Sequence, residues 1–162
     1  MLAALNNLRK KPDRLLNRKA ARGGIKTLPD FQTLVVQDDI DVVLVEAKAH
    51  AIRIGGDQTL AELVSVDLYS RRLSIHANGI SMAGKVKITV YVSGLKYLMV
   101  KGNSELYSAG VLRTPLLILA TKGNCRISVR TNGIIRVDKH FSYELMYSRN
   151  QATWQQTDRY LS

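Results

Sequence analysis

The sequence predicts an all-β protein, a single domain over residues 31–147 wound as a parallel β-solenoid, and three observations predict it. From Phe31 onward, branched apolar residues recur at every second position in short runs, the period of a strand with one buried face. Turn residues fall between those runs. Lys101-Gly102-Asn103-Ser104-Glu105-Leu106 then recurs 21 residues later as Lys122-Gly123-Asn124-Cys125-Arg126-Ile127. A spacing of that size is the length of one solenoid coil, in which each turn stacks on the last.

Two architectures accommodate short strands with turns between them, a sandwich of hairpins and a stack of coils. The runs after Leu95 favour the coil: Leu98 to Val100, Glu105 to Tyr107, Leu117 to Ala120, Ile127 to Val129 and Ile134 to Val137. Gly102, Gly110, Gly123 and Gly133 separate them, and glycine supplies the positive-φ corners that a coil needs. In such a coil Gly102 and Gly123 should stack.

In chain order, residues 1–30 form a basic tail or cap. Leu2, Leu5 and Leu8 recur every third residue and could form a short helix that Pro12 interrupts. Leu15 and Leu16 could start a second turn before Gly23-Gly24 ends the pattern. Helices this short are marginal alone in water, so the segment is a loosely docked tail, an anion-binding arm or a helix capping the domain. Strands follow at Phe31 to Val36, Ile40 to Val45 and Ala51 to Ile54, with Gly55-Gly56-Asp57 as a turn and Thr59 to Glu62 as a brief helical connection. Val64, Val66 and Leu68, then Leu73, Ile75 and Ala77, then Val86, Ile88, Val90 and Val92 alternate with polar or tyrosine positions. Leu116 to Ala120 is continuously apolar, as a strand covered on both faces would be. Residues 148–162 are a polar segment in which Trp154 is a candidate anchor.

Several of these pieces, in this order, resemble one family. Phe31-Gln32-Thr33-Leu34-Val35-Val36 followed by Ile40-Asp41-Val42-Val43-Leu44 looks like the opening of the auto-transporter adhesin head domain, the head GIN domain. Ile52-Arg53-Ile54-Gly55-Gly56-Asp57, Leu73-Ser74-Ile75 and Val86-Lys87-Ile88-Thr89-Val90 continue the likeness, as do Leu95-Lys96-Tyr97-Leu98 and Lys101-Gly102-Asn103-Ser104. The resemblance spans residues 31–137. It implies a right-handed parallel β-solenoid, a place in the bacterial cell envelope or among exported proteins, and no established enzymatic activity.

Composition narrows the field further. The net charge of +11 suggests nucleic acid until it is located. Residues 1–30 carry eight basic side chains against Asp13 and Asp30, which is six of the eleven net charges. The candidate anion-contacting residues are therefore Arg9, Lys10, Lys11, Arg14, Arg18, Lys19 and Arg22, and nucleic acid is an unlikely partner for the body of the domain. No segment approaches the roughly 20 apolar residues of a membrane-spanning helix. Leu2-Ala3-Ala4-Leu5 precedes the charges, the reverse of a secretory signal, so the chain is intracellular or an export segment lies upstream.

Candidate chemistry is sparse. Cys125 is the only cysteine, which excludes an intrachain disulfide and reads as a small buried residue. His50, His76 and His140 lack metal-ligand spacing and read as surface or strand-edge residues. Asp38, Asp39 and Asp41 read as a solvated turn. No phosphate loop or nucleophile elbow is present, and no catalytic, cofactor-binding or metal residue is expected. Tyr69, Tyr91, Tyr97 and Tyr107 lie among lysines, Lys87 with Tyr91, Lys96 with Tyr97 and Lys101 before Tyr107. They pack on strand faces or form a platform for single-stranded nucleic acid or glycan.

Three functions follow. The first is a non-catalytic structural or adhesion module with a protein or glycan surface ligand, self-associating through solenoid ends or faces where these are uncapped. The second is an anion-binding protein, taking nucleic acid or acidic lipid through its basic tail. The third, a carbohydrate-active enzyme, needs two carboxylates on one exposed face, roughly 5–9.5 Å apart.

Overall fold

The alternation of branched apolar with polar residues sends one row of side chains inward from each strand, and two sheets close around those rows. The computed structural model of the chain describes residues 24–138, together with the backbone of strands at 13–14, 144–148 and 151–155. In order these are β1 (Asp13–Arg14), β2 (Lys26–Thr27), β3 (Thr33–Val36), β4 (Asp41–Glu46), β5 (Ala51–Gly56) and the short helix α1 (Gln58–Ala61). There follow β6 (Ser65–Tyr69), β7 (Arg72–His76), β8 (Val86–Val92), β9 (Tyr97–Lys101) and β10 (Glu105–Leu112). The last are β11 (Leu116–Lys122), β12 (Arg126–Thr131), β13 (Ile134–Val137), β14 (Glu144–Ser148) and β15 (Gln151–Gln155).

The fold is nearly all β, in two mixed sheets. A seven-stranded sheet runs β1-β6-β7-β3-β9-β11-β13, and an eight-stranded sheet runs β14-β15-β12-β10-β4-β8-β5-β2. The middle of each is parallel: β7, β3, β9, β11 and β13 in one, β8, β4, β10 and β12 in the other. From β7 to β13 the chain steps from one sheet to the other with each strand, so like residues fall into columns. Leu73, Leu34, Leu98 and Leu119 are successive neighbours in the first sheet, and Ile88, Val42, Leu106 and Ile127 in the second. All eight are buried, each contributing about 1.5–3 kcal/mol.

The layers are not stacked in chain order. β9 lies beside β3 rather than beside β7, and β10 lies beside β4 rather than beside β8. The β3–β4 layer is thus flanked by β7–β8 on one side and β9–β10 on the other. This differs from the expectation that each turn stacks on the last. The cause is the excursion through β5, α1 and β6, whose strands run antiparallel to β8 and β7 and cover that end of the stack. Asp57 caps α1 by accepting a hydrogen bond from the Leu60 amide at 3.1 Å. The terminal segments extend the sheets: β1 pairs with β6, β2 with β5, and β15 with β12.

The 21-residue echo is one rung of this ladder. Glu105 faces Arg126, Leu106 faces Ile127, and Lys101 faces Lys122. Gly102 and Gly123 do stack: a Cβ on Gly123 would lie 3.0 Å from the Gly102 nitrogen, and one on Gly102 would lie 3.1 Å from the Asp38 carbonyl oxygen. All three residues have positive φ, 75° at Asp38, 76° at Gly102 and 94° at Gly123. The other two glycines behave differently. At Gly133 φ is not in the left-handed region, but any Cβ would sit 2.2 Å from the Thr114 carbonyl oxygen. Gly110 is no corner.

That last point corrects the reading of Glu105 to Tyr107 as a complete strand. β10 continues to Leu112 through a bulge, because Tyr107 faces Ser128 while Val111 faces Arg130. The Arg130 amide, displaced from a backbone partner, donates instead to Ser108 Oγ at 3.0 Å. Gly55 and Gly56 lie within β5 rather than in a turn. On β11, Leu116 and Ile118 are only half-buried, so the apolar run is not covered on both faces by the described residues. The helix expected over residues 1–11 lies outside the described residues. No helix among those described is long and apolar enough to cross a membrane.

The corner stack gives a direct test. Gly123→Ala is expected to cost about 1–3 kcal/mol in urea unfolding, because the added carbon meets Gly102 backbone at positive φ. Gly110→Ala, with nothing within 4 Å, should stay within about 0.5 kcal/mol.

Candidate binding face

Parallel registration also aligns the residues that point outward. On the outer side of the eight-stranded sheet one row reads Gly55, Lys87, Asp41, Glu105, Arg126, and the next reads Arg53, Thr89, Val43, Tyr107, Ser128. Arg53, Lys87, Glu105, Tyr107 and Arg126 are exposed, whereas Val43 between them is buried. The Lys87 ammonium lies 5.7 Å from the centre of the Tyr107 ring, within cation–π range. Beside it a depression of about 390 Å³ is lined by Asp41, Gly56, Lys85, Lys87, Glu105 and Tyr107 among others. Asp41 Oδ2 accepts from the Gly84 amide at 3.0 Å, and Glu105 Oε1 lies 3.8 Å from Arg126 Nη1. Both partners of that ion pair are more than half exposed, so it holds geometry rather than adding much stability.

The tyrosines divide between the sheets. Tyr91 and Tyr107 belong to the eight-stranded sheet, Tyr69 and Tyr97 to the seven-stranded one, so the four do not make one platform. The pairing of Lys87 with Tyr107 was not legible from sequence spacing, because the two meet only across the intervening strand β4.

The acidic cluster is a brace, not a solvated turn. Thr33 faces Arg72 while Asp41 faces Lys87, so the β7–β8 corner is seven residues longer than the β3–β4 corner. The extra loop needs partners. Asp38 Oδ2 accepts from the Ala77 amide at 2.8 Å, Asp39 Oδ2 from the Ser81 hydroxyl at 2.7 Å, and Asp41 from Gly84. Met82 of the same loop is fully buried, with its amide bonded to the Asp39 carbonyl at 2.8 Å.

His50 is likewise not a surface residue. It is 6% exposed and sits where the chain crosses from β8 to β9. Its Nδ1 lies 3.0 Å from Asp30 Oδ1, its Nε2 lies 3.1 Å from the Ser93 carbonyl oxygen and 3.4 Å from the Ser93 amide nitrogen, and the ring centre is 4.5 Å from that of Phe31. His76 is half-buried between Asn78 Oδ1 and Asp67 Oδ2. His140 lies outside the described residues. Among the described residues no three His, Cys, Asp or Glu side chains gather around one metal position.

Cys125 takes the place of Ser104 one layer on. Ser104 donates to the Asp38 carbonyl, and Cys125 is buried with Sγ 3.8 Å from the Val100 carbonyl. Burial pushes its thiol above the ordinary value, partly offset by hydrogen bonds from Thr121 and Lys122. Of the basic tail residues, Arg14 contributes backbone to β1, opposite Asp67; Arg9, Lys10, Lys11, Arg18, Lys19 and Arg22 lie outside the described residues.

Two closely registered sheets with a parallel centre and an outward row of cations, carboxylates and tyrosine define a β-domain whose large ordered surface is its sheet face. The family model described as "Putative auto-transporter adhesin, head GIN domain" matches residues 30–138, and the chain belongs to that family. Among solved structures it is similar to a putative adhesin from Parabacteroides merdae ATCC 43184, with 21% identity and a TM-score of 0.59. That match covers 70% of this chain and 50% of the other. A putative adhesin from Bacteroides fragilis NCTC 9343 matches at 17% identity and TM-score 0.56, over 79% of this chain and 62% of that one. A protein described as a putative lipid binding protein from Parabacteroides distasonis ATCC 8503 matches at 12% identity and TM-score 0.52, over 79% and 59%. At these identities the likeness is one of fold, and the chain spans less than two thirds of each relative's length. No curated protein matches in sequence.

Two outcomes follow from these contacts. Asp38→Ala, which orphans the Ala77 amide, should lower stability by about 1–3 kcal/mol and raise hydrogen exchange across residues 77–84. Because the folded Cys125 thiol stays neutral, its contribution is complete below about pH 8.5 and declines as pH rises through that range, where the unfolded chain ionises first. Urea unfolding from pH 7 to 10 should therefore show a smaller loss for Cys125→Ala than for the natural chain.

Proposed function

We propose that this chain is a non-catalytic, adhesion-type module of the bacterial cell envelope, wound as a right-handed parallel β-solenoid, that presents the outer face of its eight-stranded sheet to a surface partner. The observation that carries the reading is the outward registration of Arg53, Lys87, Tyr107, Arg126 and Arg130 on one rigid face. Every residue of that face is set by ladder pairing, so its shape is preformed and little ordering entropy opposes binding. Exposed tyrosine and arginine around a buried valine is the composition of a contact surface.

A role in binding rather than hydrolysis is supported by how the carboxylates stand. Asp41 and Glu105 are neighbours on adjacent strands of an exposed face, as a glycosidase would require. A glycosidase also needs one carboxyl kept protonated by apolar surroundings. Asp41 already accepts from Gly84, and Glu105 stands in the open beside Arg126.

The test is adhesion of beads coated with the full chain to immobilised mucin, alongside fractionation of the producing bacterium. Arg53→Glu combined with Arg130→Glu should reduce bead retention by about tenfold while leaving the fold intact. Retention that persists in this variant but disappears when Arg9, Lys10, Lys11, Arg14, Arg18, Lys19 and Arg22 are changed to glutamine would move the activity to the basic tail. Recovery of the protein solely from the cytosol would overturn the envelope assignment.

A further inference from the structure

Within that face, the depression bounded by Asp41, Lys85, Lys87, Glu105 and Tyr107 has a lining that selects one class of ligand. Two carboxylates face two ammonium groups, so the charges balance. An anion would meet Asp41 and Glu105, and a cation would meet Lys85 and Lys87. A neutral molecule rich in hydroxyls meets acceptors and donors together. Asp41 accepts one internal hydrogen bond, from the Gly84 amide, and Glu105 has only the 3.8 Å ion pair with Arg126, so each carboxylate keeps acceptor capacity for a ligand hydroxyl.

The ring and the backbone complete the site. Tyr107 is 39% exposed and carries Lys87 at its face, leaving apolar ring surface open against which the C–H face of a sugar can lie. Two of the lining residues, Gly56 and Gly84, carry no side chain, and at Gly56 none could be added because a Cβ would lie 2.2 Å from the Lys85 carbonyl oxygen. A volume of about 390 Å³ is at the lower end of small-molecule sites and accommodates one or two pyranose rings.

We propose that this depression is a binding site for neutral saccharides, in which Tyr107 stacks on a pyranose ring, Asp41 and Glu105 accept from its hydroxyls, and Lys87 donates to a ring or hydroxyl oxygen. The assignment rests on reading this sheet face as the binding face and adds the ligand class. A single ring on an open site binds with millimolar affinity, and repetition along a glycan raises it.

The test is titration of the full chain with the methyl pyranosides of glucose, galactose, mannose and N-acetylglucosamine, followed by amide chemical shifts. Saturable shifts at residues 84–87 and 105–107 with at least one of them are expected. Tyr107→Ala should weaken that binding about tenfold, Tyr107→Phe should retain it within about twofold, and glucosamine and glucuronate should bind about tenfold more weakly than the neutral sugar. The proposal is overturned if no pyranoside gives saturable shifts there, if Tyr107→Ala binds like the natural chain, or if a charged sugar binds as well as the neutral one. Mucin retention that survives such a negative result removes the saccharide site and leaves the adhesion reading standing. Pyranoside binding without retention on any surface does the reverse.

Discussion

Asp38, Gly102 and Gly123 lie in different parts of the chain, yet their backbones stack on one another in the left-handed region. Asp38 is held in that conformation with its carboxylate bonded to the Ala77 amide of a distant loop; at Gly102 and Gly123 the neighbouring backbone leaves no room for a side chain. The consequence is registration. Once three corners superpose, β3, β9 and β11 leave in step on one side and β4, β10 and β12 on the other. The leucine and isoleucine columns of the core then fall into line with no further adjustment.

The central position of the β3–β4 layer gives the fold its second constraint. A chain that leaves this layer, builds a neighbour on one side and then continues on the other must pass the layer again. It does so at Ser93 to Lys96, where His50, Asp30 and Phe31 gather. The Lys96 and Tyr97 amides bond to the Gln32 carbonyl, which ties the crossing strand to the start of β3. The detour through β5, α1 and β6 is not an ornament of the loop. It supplies the antiparallel strands that pair with the parallel edge of β7 and β8.

The same registration shapes the outer face. Lys87, Asp41 and Glu105 come from three strands that are not consecutive in the chain, and only stacking makes them a row. The row reads cation, carboxylate, carboxylate, cation, so Asp41 and Glu105 each stand beside one opposite and one like charge.

Strand positions, the location of the core rows, the brief helix near Thr59 and the 21-residue rung were legible in the sequence, because they depend on local alternation and on a repeat written twice. So was the family, through the order of several short strands. The basic tail was legible as charge, whereas the pairing of β1 with β6 and of β2 with β5 was not. What local pattern does not contain is which strand lies beside which. The insertion of β3–β4 between later layers, the bulge that carries β10 past Gly110 and the burial of His50 at a crossing each depend on pairings between distant residues. The acidic cluster shows the difference most clearly. Asp38, Asp39 and Asp41 look like a turn in one dimension and become the brace of another loop in three, since the loop they hold arrives about forty residues later. The sequence by itself determined an all-β chain of this family with aliphatic rows and glycine corners. The order of its layers and the row of Lys87, Asp41, Glu105 and Arg126 were decided by tertiary pairing, because hydrogen-bond registration between distant strands is a property of the stack and of no single segment.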